Sequence, residues 1–141
     1  MKRLNRSASQ LAIEFGLHGG TDITGYSLLG HGMEMAEASA VSLKLNFAEI
    51  PFISCARKYA EMGCFPGGAF DNKKHFESKV KFADSIDEPN QMLLFDPQTS
   101  GGLLLGVPPE KLDAFIARAW EMDQAAWAIG RVETGAGIEV Q

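Results

Sequence analysis

The segment TDITG, at residues 21–25, contains more polar chemistry than the start of a helix requires. Its acid, Asp22, stands between Thr21 and Thr24, and Gly25 follows directly. One Ser, Thr or Asp is enough to cap a helix, whereas glycines let the backbone approach a ligand closely. The residue types therefore leave two interpretations open: a helix entry only, or a binding loop.

A second segment, FDPQTSGGLLLGV at residues 95–107, repeats this chemistry. Asp96 precedes a proline, which restricts its backbone to extended conformations. The residues that follow are candidates for a loop that approaches a phosphate: Thr99, Ser100, Gly101 and Gly102. A tight turn into a strand explains the same pattern equally well. A Walker-type loop is excluded, because no Lys followed by Ser or Thr comes after the glycines.

Helices and strands must alternate to position these two segments. Periodicity and end signals predict helices over 7–15, 26–38, 52–62 and 108–122, with Thr24 as the N-cap of the second and Gly63 closing the third. Alternating or continuous apolar runs predict strands over 41–47, 101–107, 125–132 and 137–140.

Other parts of the chain give weaker signals. Residues 64–76 are rich in turn formers and are predicted to be a loop, and 78–84 is a possible short strand. Asp87 either caps a short helix or precedes a strand over 91–95. The apolar stripe of the last helix is predicted to lie in the core: Leu112, Phe115, Ile116 and Trp120.

Composition is that of an ordinary globular domain, with 141 residues, 45% hydrophobic and 22% charged. We expect one domain over residues 1–141, with an α+β fold in which helices pack on a layered mixed β-sheet. The net charge of -5 argues against broad nucleic-acid binding. No apolar run reaches the roughly 20 residues of a membrane span. Cys55 and Cys64 do not form a C-x-x-C pair, and we expect reduced thiols in a cytoplasmic protein.

The two segments, read as TDITGYSLLGHGMEMAEAS and LLFDPQTSGGLLLGVPPEK, together resemble the C-terminal domain of selenophosphate synthetase (selenide, water dikinase). Between them, PGGAFDN resembles the Pro-Gly-Gly-Thr loop of that family, with its Asn three residues on, and AWAIGRV resembles its closing strand. The resemblance extends from about Leu4 to Val140. It implies the fold of the aminoimidazole ribonucleotide synthetase C-terminal domain.

The resemblance also implies a reaction in which ATP, selenide and water give selenophosphate, AMP and phosphate. By its place in the motif, Asp22 matches a metal-binding aspartate that holds Mg²⁺ at the ATP phosphates. The nucleotide or phosphate is then expected near the remaining motif residues: Thr21, Thr24, Gly25, Thr99, Ser100, Gly101 and Gly102. No catalytic residue is expected in this chain. His31 is expected to hold the loop in place, and His18 and His75 to lie at the surface.

The resemblance further implies a larger two-domain enzyme whose N-terminal domain is absent here. That domain carries the reactive Cys or selenocysteine, a nearby Lys and most of the metal-binding acids, so we expect this chain alone to be inactive. The intact enzyme is expected to be a homodimer that pairs mainly through the N-terminal domain. Two alternatives stay open: another ATP-dependent synthetase or kinase of the superfamily, and a stand-alone non-catalytic binding module.

Four positions depart from the family pattern. Tyr26 and Ser27 replace a Phe-Gly pair, which is expected to stiffen the helix entry, and Ala69 replaces the Thr of Pro-Gly-Gly-Thr. Ala40 stands where a Gly is common before the first predicted strand. These changes leave the role of residues 66–72 open.

Overall fold

Helices and strands interleave along the chain, in a computed structural model that describes residues 4–141. The helices are α1 (Arg6–Glu14), α2 (Ser27–Ser39), α3 (Ala56–Glu61), α4 (Gly67–Phe76), α5 (Glu88–Leu93) and α6 (Leu112–Glu121). The strands are β1 (Gly19–Asp22), β2 (Val41–Leu45), β3 (Val80–Phe82), β4 (Leu103–Gly106), β5 (Gly130–Thr134) and β6 (Ile138–Val140). Short 3-10 helices cover Phe47–Glu49, Glu77–Lys79 and Pro109–Lys111.

A four-stranded sheet with the order β3–β6–β2–β5 forms the centre of the fold. β6 is parallel to both β2 and β3, whereas β5 is antiparallel to β2. The sheet is therefore mixed, and helices pack against it. The predicted α+β class with a layered mixed sheet is confirmed.

The main core lies between this sheet and α2. Alternate residues of β2, Leu43 and Leu45, are buried, as period-two patterning predicts. On α2, the apolar stripe of Leu29, Met33 and Ala36 is almost completely buried against them. Burial of this apolar surface is the main favourable contribution to the stability of the domain.

A second, smaller sheet is formed by β1 and β4, which pair antiparallel. Beside it lies a separate apolar cluster that joins α1 to α6. Leu11 is buried there, and the rings of Phe15 and Phe115 meet edge to face with centroids 5.3 Å apart. The Lys111 ammonium donates to the Phe15 carbonyl oxygen at 2.8 Å and ties the end of α1 to the start of α6.

The prediction of a loop over 64–76 is wrong, because α4 occupies Gly67–Phe76. Three of its residues, Ala69, Asn72 and Phe76, are buried, and their spacing places them on one helical face. A polar Asn at a core position and two glycines at the helix start concealed this pattern in the sequence.

Other boundaries also differ from the predictions. α2 begins at Ser27 with Tyr26 as N-cap, so Thr24 is not the cap. α3 is shorter than predicted and starts at Ala56, since Phe52 instead packs against Phe47 with ring centroids 5.4 Å apart.

Among the strands, the one predicted over 125–132 lies further along, as β5, and β1 was not predicted at all. β4 lies inside the range predicted for a buried strand, but its residues are only half-buried. The helix predicted to begin at Asp87 is confirmed, and the Asp87 carboxylate accepts a hydrogen bond from the Asn90 N–H at 3.0 Å.

The apolar stripe of α6 is only partly in the core. Phe115 is buried, but Ile116 is 36% exposed and Trp120 is 86% exposed. α6 packs on α1 through one narrow line of contact, centred on Phe115 and Ala119. Leu112 is therefore only half-buried, and Ile116 and Trp120 face outward. The prediction for Ile116 and Trp120 is therefore wrong.

Over residues 4–141, no helix has the length and apolar character that a bilayer crossing demands. Cys55 and Cys64 are both free thiols and both exposed. His18 and His75 are exposed, as predicted.

Candidate functional site

The β1–β4 ladder brings the two motif segments together. Gly19 is paired with Gly106 at one end, and Asp22 with Leu103 at the other. Asp22 is thus the last residue of a strand, not part of a flexible loop as the sequence suggested. The strand fixes its backbone by cross-strand hydrogen bonds, so its direction is set by the fold.

Backbone hydrogen bonds continue the contact beyond the ladder. The Ile23 N–H donates to the Gly102 carbonyl oxygen at 3.0 Å, and the Gly101 N–H donates to the Ile23 carbonyl oxygen at 2.9 Å. Further on, the Gln98 N–H donates to the Thr24 carbonyl oxygen at 2.9 Å. The two segments are therefore joined along most of their length.

Both glycines of the second segment have a structural reason. A Cβ on Gly101 would lie 2.7 Å from the Ile23 Cγ2 and 2.9 Å from the Ile23 carbonyl oxygen, closer than real Cβ contacts. Gly102 has a φ of +89°, which side-chain-bearing residues rarely adopt. The turn into β4 thus accounts for the pair, and approach to a phosphate is an additional role that this geometry permits.

The joined segments lie at the surface. Five of the eight predicted site residues are exposed, namely Asp22, Gly25, Thr99, Ser100 and Gly101, and three are half-buried, namely Thr21, Thr24 and Gly102. The two motifs therefore share one exposed region of the surface. An open groove of about 530 Å³ runs beside them between α1 and β1, and its lining includes Asp22 and His18.

His31 holds the end of the first segment, as predicted. Its Nε2 accepts from the Tyr26 N–H at 3.3 Å and lies 3.0 Å from the Thr24 hydroxyl. Its Nδ1 lies 3.0 Å from a carboxylate oxygen of Glu34. Because a backbone N–H can only donate, Nε2 is the acceptor, and the proton sits on Nδ1 and is donated to Glu34. This chain of contacts fixes the Thr24 side chain.

Ser27 has a backbone conformation that favours glycine. Its φ is +61°, in the left-handed region, and its side chain is only 2% exposed. A residue with a Cβ is strained in this conformation. The expected stiffening of the helix entry therefore takes the form of a strained backbone immediately after the first motif.

Asp96 is half-buried in the second segment. The Gln98 side-chain amide donates to the Asp96 carbonyl oxygen at 2.9 Å and to its carboxylate at 3.2 Å. Burial raises the pKa of the Asp96 carboxyl above its usual value, and the hydrogen bond from Gln98 only partly offsets this.

The donor set is too small for a complete metal site. Within residues 4–141, no three His, Cys, Asp or Glu side chains are grouped so that they could hold a metal ion. Asp22 offers one exposed carboxylate. That fits Mg²⁺ at a nucleotide, which proteins usually hold through one or two carboxylates, with phosphates and waters completing the shell.

Asn72 is a residue of this region whose role the sequence did not reveal. It is 7% exposed, and its side-chain amide donates to the Gly25 carbonyl oxygen at 2.8 Å and to the Phe95 carbonyl oxygen at 3.0 Å. The signal in the sequence was its place in PGGAFDN, between the two motifs.

Comparisons with known proteins identify the family of this chain. Residues 1–141 match the family model described as AIR synthase related protein, C-terminal domain. The chain belongs to this family. It is 44% identical, over 134 residues, to the selenide, water dikinase of Caldanaerobacter subterraneus subsp. tengcongensis, covering 94% of the chain and 39% of that protein. To the selenide, water dikinase of Pseudomonas aeruginosa it is 38% identical over 141 residues, covering 100% of the chain and 40% of that protein. The chain thus spans about two fifths of the length of these relatives.

Solved structures of more distant proteins show the same fold. Thiamine-monophosphate kinase from Stenotrophomonas maltophilia superposes with a TM-score of 0.59 at 19% identity, over 92% of this chain and 33% of that one. The enzyme of the same name from Aquifex aeolicus gives a TM-score of 0.60 at 18% identity, over 96% of this chain and 35% of that one. At these identities the likeness concerns architecture alone, and it confirms the expected AIR synthase C-terminal domain fold.

Proposed function

We propose that this chain is the C-terminal domain of a selenide, water dikinase, which converts ATP, selenide and water to selenophosphate, AMP and phosphate. Similarity to enzymes of that name over nearly the whole chain supports the proposal. The chain matches only about two fifths of each relative, so an N-terminal domain is expected to complete the enzyme and to be its principal partner. We expect the intact enzyme to be a cytoplasmic homodimer.

The contribution that we assign to this domain is a carboxylate for Mg²⁺ at the ATP phosphates. The observation that carries this assignment is the position of Asp22, exposed at the end of β1 and beside the glycine-rich turn of the second motif. Bound Mg²⁺ would neutralise phosphate charge and orient the transferring groups. The β1–β4 ladder fixes the backbone of Asp22 and so the side of the strand from which its carboxylate extends.

The neighbouring polar groups are suited to phosphate oxygens. We assign the nucleotide or phosphate to the region of Thr21, Thr24, Gly25, Thr99, Ser100, Gly101 and Gly102. Residues 21–25 and 95–107 contain no Lys or Arg. The cationic group that phosphoryl transfer requires must therefore come from elsewhere, which is why we expect no catalysis by this domain alone.

The substitution Asp22→Asn in the intact enzyme tests the assignment. The side chain keeps its shape but loses the charge that Mg²⁺ needs, so we expect selenophosphate formation to fall at least 100-fold, corresponding to about 2.7 kcal/mol of lost transition-state stabilisation. Because Asp22 is exposed, the substitution is expected to change the unfolding free energy of the protein by less than about 0.5 kcal/mol.

Asp84→Asn provides a matched control, since Asp84 is an exposed carboxylate outside both motifs. Activity is measured as a function of Mg²⁺ concentration, and thermal unfolding is recorded in parallel. Unchanged activity of Asp22→Asn at limiting Mg²⁺ would refute the ligand role. ATP turnover that is independent of selenide would instead favour another ATP-dependent enzyme of the superfamily, and absence of any turnover would favour a binding module.

A further inference from the structure

Asn72 joins two segments that are distant in sequence both from it and from each other. It belongs to α4, outside both motifs, yet its amide reaches the Gly25 carbonyl oxygen of the first and the Phe95 carbonyl oxygen that begins the second. The partners lie 47 and 23 residues away. A local capping role is therefore excluded, and the contact is part of the tertiary structure.

The chemistry of the contact requires a carboxamide. Both partners of Asn72 are carbonyl oxygens, which only accept, and an amide NH₂ group supplies two donors from one atom. An aspartate of the same size has no donor when ionised, and its oxygens would face the carbonyl oxygens. Since the side chain is 7% exposed, water cannot easily replace the missing bonds.

The start of α4 supports the same two segments by direct packing. A Cβ placed on Gly68 would lie 3.0 Å from the Pro97 ring, so the helix approaches the second segment closely at this point. Between the two segments themselves, the Gln98 N–H donates to the Thr24 carbonyl oxygen. α4 thus contacts the two segments away from the β1–β4 ladder. It meets the first segment at Gly25 and the second segment just before Gln98.

We propose that Asn72 is a positioning residue that holds the two motif segments at the separation required for Mg-ATP. The ladder fixes the Asp22 end of the pair, and the Asn72 amide fixes the Gly25–Phe95 end. The inference rests on the proposed function for its consequence in catalysis, but the structural part of it can be measured independently. It also gives residues 66–72, whose role the sequence left open, a defined task.

The test compares Asn72→Asp, which removes both donors at constant size, with Gln91→Glu in the intact enzyme. Gln91 is a matched control, because its side-chain amide also donates to a backbone carbonyl oxygen, that of Ile86, but outside both motifs. Asn72→Ser, a smaller change that keeps one donor, is included in case the Asp variant does not fold.

The first readout is hydrogen exchange followed by mass spectrometry. We expect the peptide that covers residues 94–102 to exchange at least tenfold faster in the Asn72 variants than in the wild type or in Gln91→Glu. The exchange rates of peptides from β2 and β6 should be unchanged, since these strands lie in the main sheet. Unchanged protection of residues 94–102 would overturn the proposal whatever the activity.

The second readout is the Mg²⁺ concentration that gives half-maximal activity. We expect it to rise at least tenfold in Asn72→Asp and to stay within twofold of the wild type in Gln91→Glu. If Asp22→Asn loses activity while the Asn72 variants behave like Gln91→Glu, the proposed function survives and the positioning role is wrong. If Asp22→Asn is silent while residues 94–102 lose protection in the Asn72 variants, the structural tie stands and the proposed ligand role of Asp22 fails.

Discussion

Replacement of Ser27 by glycine is expected to stabilise the domain, contrary to the usual effect of introducing glycine at a helix. The left-handed backbone at Ser27, with a φ of +61°, costs a residue with a Cβ about 1–2 kcal/mol. Glycine loses more backbone entropy on folding, which returns about 0.5–1 kcal/mol. The buried CH₂ and hydroxyl groups of serine have opposing transfer energies and roughly cancel. The net gain is about 0.5–1 kcal/mol, and the midpoint of thermal unfolding should rise by roughly 1.5–3 °C.

Two further glycine variants make this expectation sharper. Ala40 also has a positive φ, of +52°, at the end of α2, and it is exposed, so Ala40→Gly measures strain and entropy without a packing contribution. Ala117 is an exposed residue inside α6, where glycine should destabilise by about 0.5–1 kcal/mol. Unfolding is followed by circular dichroism. If all three variants lower the midpoint alike, backbone strain at Ser27 does not govern its stability and the reasoning is refuted.

Two other predictions concern the second motif. Gly101→Ala should destabilise the domain by about 1–3 kcal/mol, because the new Cβ would overlap Ile23. Gly67→Ala is the control and should not lower stability, since no atom lies near its new Cβ. Equal effects of the two changes on thermal unfolding would contradict this prediction. Asp96→Asn should raise the midpoint of thermal unfolding at pH 7, and this gain should disappear at about pH 3. The raised pKa of the Asp96 carboxyl means that its ionised form costs stability above that pKa, and that the cost disappears once the carboxyl is protonated in both states. A gain of the same size at both pH values would argue against this origin.

The large elements of the fold were predictable because local patterns and tertiary packing agree in them. The stripe on α2 and the alternation in β2 each predicted the buried face correctly. The α5 helix was recognisable as one of two options, since Asp87 carries a capping side chain in front of Pro89. Where the period of apolar residues matches the buried face, the sequence alone is sufficient to predict the element.

The elements that escaped prediction owe their structure to partners distant in sequence. β1 reads as Gly-Gly-Thr-Asp, which has no strand pattern of its own and becomes a strand because β4 pairs with it. α4 begins in a Pro-Gly-Gly sequence typical of turns, and its buried face includes Asn72, a residue that pattern reasoning places outside a core. In α6, periodicity correctly predicted a helix but not the narrow contact that leaves Trp120 exposed.

Part of the candidate site was predictable through the motifs, and part was not. The resemblance placed both segments at one nucleotide site, and the structure brings them together at the surface. The location of Asp22 at a strand end, the fixing of Thr24 by His31, and the link through Asn72 depend on contacts between distant segments or on side-chain geometry. A single sequence does not contain that information in local form.

The exposed tryptophans determine how this protein can be observed. The chain has two, and Trp120 on α6 is 86% exposed while Trp127 is 57% exposed. Indole emission depends on whether water surrounds the ring, and here water surrounds both rings before unfolding begins. Their emission maximum should therefore change little on denaturation, so fluorescence would underreport the unfolding transition. The same property makes Trp120 sensitive to contact: a partner that covers α6 would move its ring out of water and shift its emission to shorter wavelength, with no label required.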